Sequence, residues 1–340
     1  MFMNKQVIDM PKNFVKPECI NVYVSLPCPL KVPFKQLFDP FMESWNSDSN
    51  NLPINIPSKD TCSPGDFEEL MMTSDSEDLL PDVYITSSYK ILFSELFSEK
   101  YLMSNIYTGL PKEMYGDDYP ENVIEVAEKY NIGFLGFSSW GLIHDTKYTG
   151  EHSIPARWEE LTEPGYKNLI SIHGCHGQAG NISMLMNLKS AGGSTAIELL
   201  AHNIKKAEHF SKLIKELGSN KDSATPFYIM PNVAIANIPS TKKAELINVK
   251  EQVISPLMII VKQSRLKESR GLLEFFTGSV FKRLLASHSF FQPQDIEGIE
   301  EHKFDHMDMF VKESYQRIYE ELNKLFITSL GDKIPMNGHG

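Results

Sequence analysis

The string His173-Gly174-Cys175-His176-Gly177-Gln178-Ala179-Gly180-Asn181 puts two imidazoles and a thiol within four residues, directly after the apolar run Leu169 to Ile172. Imidazole nitrogen and thiolate sulfur suit zinc, iron, copper or nickel better than calcium or magnesium. His173, Cys175 and His176 are therefore the candidate ligands for a transition metal or a metal chelate. The three glycines allow close backbone approach, and a helix starting near Asn181 adds N–H donors and a positive dipole end. An anion or organic ligand touching Gly177, Gln178 and Asn181 fits this string as well as a metal does. The plain alternative is a solvated turn whose Cys175 packs as a small hydrophobe.

Four other places carry polar chemistry. In Leu26-Pro27-Cys28-Pro29-Leu30-Lys31 two prolines stiffen the chain, so Cys28 would be held at a fixed position, with Lys31 a surface charge. Ser87, Ser88 and Tyr89 offer hydroxyls at the end of a second apolar run, where helix capping is the competing role. Tyr228, Asn232 and Asn237 lie on a later strand-like run and would line a cleft or face solvent. Near the end, His302 and His306 stand four apart, with Asp305 and Asp308 beside them, which on a helix aligns two imidazoles on one face. Enzyme signatures are missing: there is no Gly-x-Ser-x-Gly elbow, phosphate loop, Gly-x-Gly-x-x-Gly fingerprint or His-Glu-x-x-His pair. The remaining catalytic option is a Cys175 nucleophile with His173 or His176 as base.

The elements that must position these groups alternate between strand and helix. Cys19 to Leu26 reads as a buried strand followed by a helix over Phe34 to Trp45, interrupted near Pro40. Asp82 to Thr86 is a β-branched run ending at Ser87. Ile132 to Phe137 and Trp140 to Lys147 look extended, and Ile154 to Tyr166 reads as a Pro-started helix and turn leading to the short strand that ends at His173. Thr195 and Glu198 have capping-box spacing, and Leu200, Ile204, Ala207, Phe210, Leu213, Ile214 and Leu217 predict one long helix stopped by Gly218. Phe227 to Ile238 and Val253 to Val261 read as strands, with helices over 272–286 and 309–327 closing the chain. Such alternation implies parallel sheets covered on both faces, which bind ligands beyond the carboxyl ends of their strands.

A length of 340 residues suits two lobes, and 41% hydrophobic with 23% charged residues excludes a disordered, collagenous or membrane-bundle chain. The formal charge of −11 leaves no basic field for nucleic acid or anionic lipid. Four scattered cysteines without a Cys-x-x-Cys pair predict a reducing compartment. Met1 to Val15 holds no uninterrupted apolar segment, so the chain as it stands is expected in the cytoplasm, and in the periplasm or at the cell surface if an export signal precedes it.

Three segments carry a family resemblance. Pro155-Ala-Arg-Trp158-Glu-Glu-Leu161-Thr-Glu-Pro164-Gly-Tyr166-Lys167 is similar to the Trp-bearing turn that leads into a second-lobe strand in type 2 periplasmic binding proteins. Pro81 to Ser88 resembles their first-lobe strand and binding loop, and Ser255 to Lys262 the strand that returns to the first lobe. The order of elements resembles the solute-binding proteins of ABC transporters in the iron and small-anion branches. The resemblance implies an α/β fold of two three-layer α/β lobes joined by a hinge, with 15–135 plus 250–330 as the first lobe, 136–249 as the second, and 1–14 and 331–340 as tails. It implies a non-catalytic, monomeric binding protein that closes on a metal, metal chelate or oxyanion, with an ABC transporter permease as partner, or one that handles such a ligand inside the cell. A thiol-dependent enzyme on the same fold and a ligand-sensing partner module are the alternatives. Two departures stand out: no signal peptide or lipoprotein cysteine is present, and the second-lobe loop carries His and Cys where hydroxyls or aromatics are expected.

Overall fold

The computed structural model describes residues 15–56, 65–116, 119–175, 178–179, 181–250, 253–292 and 305–333, with the backbone only for 65–66, 175, 178–179 and 305–306. The chain begins with β1 (Ile20–Ser25), fully apolar but for Asn21 and Ser25. α1 (Cys28–Ser47) follows at once and runs unbroken through Pro33 and Pro40, so the expected stiff loop around Cys28 is the first turn of a helix. Pro29 suits that turn because a helix start leaves its N–H groups unused anyway. β2 (Ile54–Asn55), α2 (Gly65–Thr73), β3 (Val83–Thr86), α3 (Tyr89–Leu92), α4 (Glu95–Phe97), β4 (Tyr107–Thr108) and α5 (Glu121–Lys129) come next. A single strand, β5 (Gly133–Asp145), then replaces the two extended pieces expected over this stretch.

The expected helix over 154–166 is a pair of 3-10 turns, Trp158–Thr162 and Pro164–Tyr166, each too short to continue past its proline or extended neighbours. β6 (Ile170–Cys175) runs two residues beyond His173 and turns back as β7 (Gln178–Ala179). α6 (Ile182–Asn203) is capped by Asn181 and broken at Gly193, whose φ of +67° belongs to glycine. The long helix predicted to end at Gly218 is the main error. Its Ile204 and Ala207 lie on β8 (Ile204–Glu208), which pairs parallel with β6, and only Phe210 onward returns to helix as α7 (Phe210–Glu216). Ile204 is 0% and Ala207 1% exposed, so sheet burial overrode a helical spacing.

β9 (Phe227–Pro231) is likewise shorter than expected, because Asn232 opens α8 (Asn232–Ile235). β10 (Ala244–Ile247) was hidden in a charged stretch, while β11 (Val253–Lys262) matches its apolar run. α9 (Arg270–Thr277), α10 (Ser279–Ala286), α11 (Asp305–Glu313) and α12 (Tyr315–Leu330) complete the order, the last pair divided at Ser314.

The chain forms two compact units. The first holds Met1–Gly136, Pro256–Ala286 and Gln292–Glu301, and the second Phe137–Ser255, Ser287–Phe291 and His302–Gly340. The boundary thus cuts β5 after Gly136 and β11 after Ser255. Residues through 330 were expected in the first lobe, but α12 packs against α6, with Ile318, Leu322 and Phe326 buried and Lys189 bridging to Glu321 at 2.6 Å.

In the first unit β2, β1 and β3 are parallel, and β11 lies antiparallel beside β3. Tyr23 and Tyr84 sit opposite each other on β1 and β3, and Phe67 of α2 stacks on Tyr23 at 3.7 Å. Asp82 fastens the amino end of β3. It accepts from Asn21 N–H (2.8 Å) and Nδ2 (3.0 Å), and it pairs with the buried Lys262 (3.3 Å), whose Nζ also donates to Leu80 O. In the second unit the strand order is β10-β5-β9-β6-β8. Ile143, Tyr228 and Met230 meet Leu213, Leu217 and Ala234, a core cluster contributed by β5, β9, α7 and its end, and α8. Phe227 meets Tyr166 edge-on at 5.6 Å.

Candidate functional site

In the second unit β6, β8 and β9 are mutually parallel, so Cys175, Glu208 and Pro231 end on one edge of the sheet. β5 runs antiparallel to β9 with Trp140 opposite Pro231, which brings Trp140 to that edge too. Carboxyl ends of parallel strands are where open α/β sheets take ligands. Trp140 is 9% exposed and its ring stacks on His173 at 5.9 Å. His173 in turn meets His209 edge-on at 5.5 Å and Phe210 at 5.4 Å.

The two imidazoles have a common task. Phe210 N–H donates to His173 Nδ1 at 3.2 Å, and Ser211 N–H donates to His209 Nδ1 at 3.3 Å. These are the first two backbone donors of α7, which have no partner inside the helix. His173 and His209 therefore cap α7. Burial, followed by the neighbouring His209, pushes the His173 pKa down to about 4, against an opposing backbone interaction with Glu208. The ring is neutral at pH 7, and with Nδ1 accepting, its proton belongs on Nε2. In this geometry the Nδ1 lone pair of His173 is taken by Phe210 N–H.

The rest of the string divides. Cys175 pairs with Gln178, and Gly174 with Ala179, across the β6–β7 turn. His176 and Gly177 lie outside the described residues, and so does His302. Asp305 and His306 are described only as the start of α11. Asn181 sits where expected and has two roles. Its Oδ1 accepts from Ser183 N–H (2.8 Å) and Met184 N–H (3.4 Å), while its Nδ2 donates to Ser255 Oγ (3.0 Å). Asn232 Nδ2 donates to Ser139 Oγ at 2.6 Å. Among the described residues, Ser138 Oγ, Ser183 Oγ and Asn232 Oδ1 are buried without hydrogen-bond partners. Tyr228 is corrected from a cleft residue to a core one. It is 0% exposed, its hydroxyl accepts from Thr225 N–H at 3.2 Å, and burial pushes its pKa up to about 12.

In the first unit the parallel strands β1, β2 and β3 end at Ser25, Asn55 and Thr86. Cys28 is exposed at the first position of α1. Ser88 caps α3, accepting from Lys90 N–H at 3.2 Å, while its own N–H donates to Thr86 Oγ1 at 3.0 Å. Ser87 is partly exposed, and Tyr89 is buried against Phe93 at 6.0 Å. Lys90 Nζ stands 3.5 Å from Glu68, a mostly buried carboxylate of α2. Among the described residues no group of three or more His, Cys, Asp or Glu side chains is arranged to hold a metal ion. Trp140, His209 and Glu68 escaped the sequence reading. Trp140 was absorbed in an extended run and His209 in the misread helix, and only the capping motif His209-Phe210-Ser211 would have exposed the latter.

Residues 78–307 match the family of bacterial extracellular solute-binding proteins, and the chain belongs to that family. Solved structures agree on the fold. The apo ferric ion-binding protein A of Pasteurella haemolytica is similar at a TM-score of 0.60 and 14% identity, over 93% of this chain and 99% of that one. A Clostridium perfringens protein described as an ABC transporter gives 0.59 and 13%, over 94% and 100%. A Trichodesmium protein in complex with iron and citrate gives 0.58 and 13%, over 92% and 98%. No curated protein sequence matches. The chain is thus a solute-binding protein of the type 2 periplasmic-binding-protein fold, and its family is one of binding proteins rather than enzymes. Among the described residues no helix is long and apolar enough to cross a membrane.

Proposed function

We propose that the chain is the ligand-capturing component of an ABC-type uptake system, working in the periplasm or at the cell surface, and that its two units are lobes closing on a small ligand by hinge motion. The ligand is an organic complex of a metal, or an oxyanion, and not a bare ion ligated by His173. The observation that carries this reading is the use of both His173 and His209 as caps of α7, which occupies the Nδ1 of each ring. Ser87, Ser88 and Cys28 would contribute from the first unit, and Trp140, Gln178 and Asn181 from the second. Cys175 and His176 remain the residues through which a metal in the complex would be reached. The iron and citrate bound by the Trichodesmium relative fit such a complex.

Native mass spectrometry of protein purified without chelators reads any retained ligand directly. Calorimetry then compares ferric citrate, inorganic phosphate and ferric ion delivered from nitrilotriacetate, in wild type and in His173→Gln. Binding of the complex or of phosphate that stays within about threefold in the variant supports the proposal, since tenfold corresponds to about 1.4 kcal/mol. Bare-ion binding that falls tenfold or more in the folded variant refutes it.

A further inference from the structure

Asn181 closes the strand-end string on one side and touches the chain crossing on the other. Its Oδ1 caps α6 through Ser183 and Met184, and the same amide's Nδ2 donates to Ser255 Oγ at 3.0 Å. Ser255 ends the Phe137–Ser255 segment of the second unit, and β11 continues across the boundary into Pro256. Proline has no N–H, so the residue after the one Asn181 holds gives the sheet ladder no backbone donor. An amide clamped at both ends moves as one piece with the helix start and the strand.

We propose that Asn181 is a positioning residue that couples the strand-end site of the second unit to the β11 crossing, and that the Asn181–Ser255 hydrogen bond sets the balance between open and closed forms. The inference rests on the closing motion proposed above. It requires that a change at the start of α6, such as ligand meeting the neighbouring strand ends, be felt at Ser255 through one bond. The coupling has two arms that substitutions can separate. Asn181→Ser keeps a good cap but is too short to reach Ser255. Ser255→Ala leaves the cap whole and removes the acceptor, while Ser255→Thr restores a hydroxyl on a strand-compatible side chain.

The test is single-molecule energy transfer between dyes on azide-bearing residues placed at the exposed positions 43 and 221, one in each unit, in free protein and with ferric citrate. Asn181→Ser and Ser255→Ala should each move the ratio of the two distance populations in free protein by about threefold or more, in the same direction, as expected for one lost hydrogen bond. The double variant should move it no further than the stronger single one, and Ser255→Thr should return it to the wild-type value. An unmoved ratio in either single variant, strictly additive shifts, or a lowered melting temperature with an unmoved ratio overturns the coupling. One distance population in wild type, free and with ferric citrate, overturns the closing motion itself.

Discussion

Acid should weaken this fold through His173 in a window that can be stated in advance. The folded-state pKa of about 4 lies below the ordinary imidazole value of about 6.5, so the folded ring resists a proton that the unfolded chain accepts. Above roughly pH 6.5 both states are neutral and the ring contributes no pH dependence. As pH falls toward 4 the unfolded chain takes up the proton first, and stability is lost progressively. Below about 4 both states are protonated and the loss levels off. At about 1.4 kcal/mol per pH unit the full loss is about 3 kcal/mol, of which about 2 should be present by pH 5. The groups around the ring are His209, Trp140, Phe210 and the Glu208 backbone. His173→Gln isolates the effect, because the Gln Oε1 can still accept from Phe210 N–H and carries no titration. Urea unfolding at pH 7 and pH 5 should show wild type losing about 2 kcal/mol more than the variant across that interval. Equal losses in the two proteins would mean that His173 is not held neutral by its surroundings, and the capping geometry would lose its support.

Two further expectations follow from buried polar groups. Asp82→Ala should cost about 3–5 kcal/mol in urea unfolding, because it leaves the buried Lys262 ammonium without its carboxylate and frees Asn21 from β3. A loss under 1 kcal/mol would show that the pair is solvated. Tyr228→Phe should cost about 1–2 kcal/mol by removing the acceptor of Thr225 N–H, while leaving calorimetric affinity for ferric citrate unchanged. A tenfold affinity change in a folded Tyr228→Phe protein would return Tyr228 to the ligand.

The fold was legible where one physical requirement acted alone. β1, β3 and β11 are buried on both faces and appear as continuous apolar runs, and the helix expected to start near Asn181 is α6. Legibility failed between 200 and 217, where Leu200, Ile204, Ala207, Phe210 and Leu213 keep a helical spacing although they belong to three different elements. A five-residue strand offers only Ile204 and Ala207 to an interior whose other members are distant in sequence, and no local pattern reports that pairing. Prolines misled in the opposite sense. Pro40 stands within α1, where a break was expected, and α1 also runs through Pro33, because the helix is anchored by Phe34 and Phe38 against Phe276.

The same limitation governs the site. His173 at a strand end, two residues before a thiol, has the composition of a metal ligand, but whether an imidazole can ligate depends on what already occupies its nitrogen. Phe210 supplies the occupant, and Phe210 is 37 residues away. For a metal to take Nδ1 directly it must displace Phe210 N–H. For it to take Nε2 the proton must move to Nδ1, where it would face the same N–H. Either route leaves the first donor of α7 unpaired, at a cost of about 1–3 kcal/mol, or roughly five- to 150-fold in affinity. A site built on Cys175 and His176 avoids that cost, as does a ligand that brings its own coordination shell and asks the protein only for hydrogen bonds and a ring face. The pairing of two imidazoles with two adjacent backbone donors thus narrows the ligand more sharply than the residue types at the strand end do.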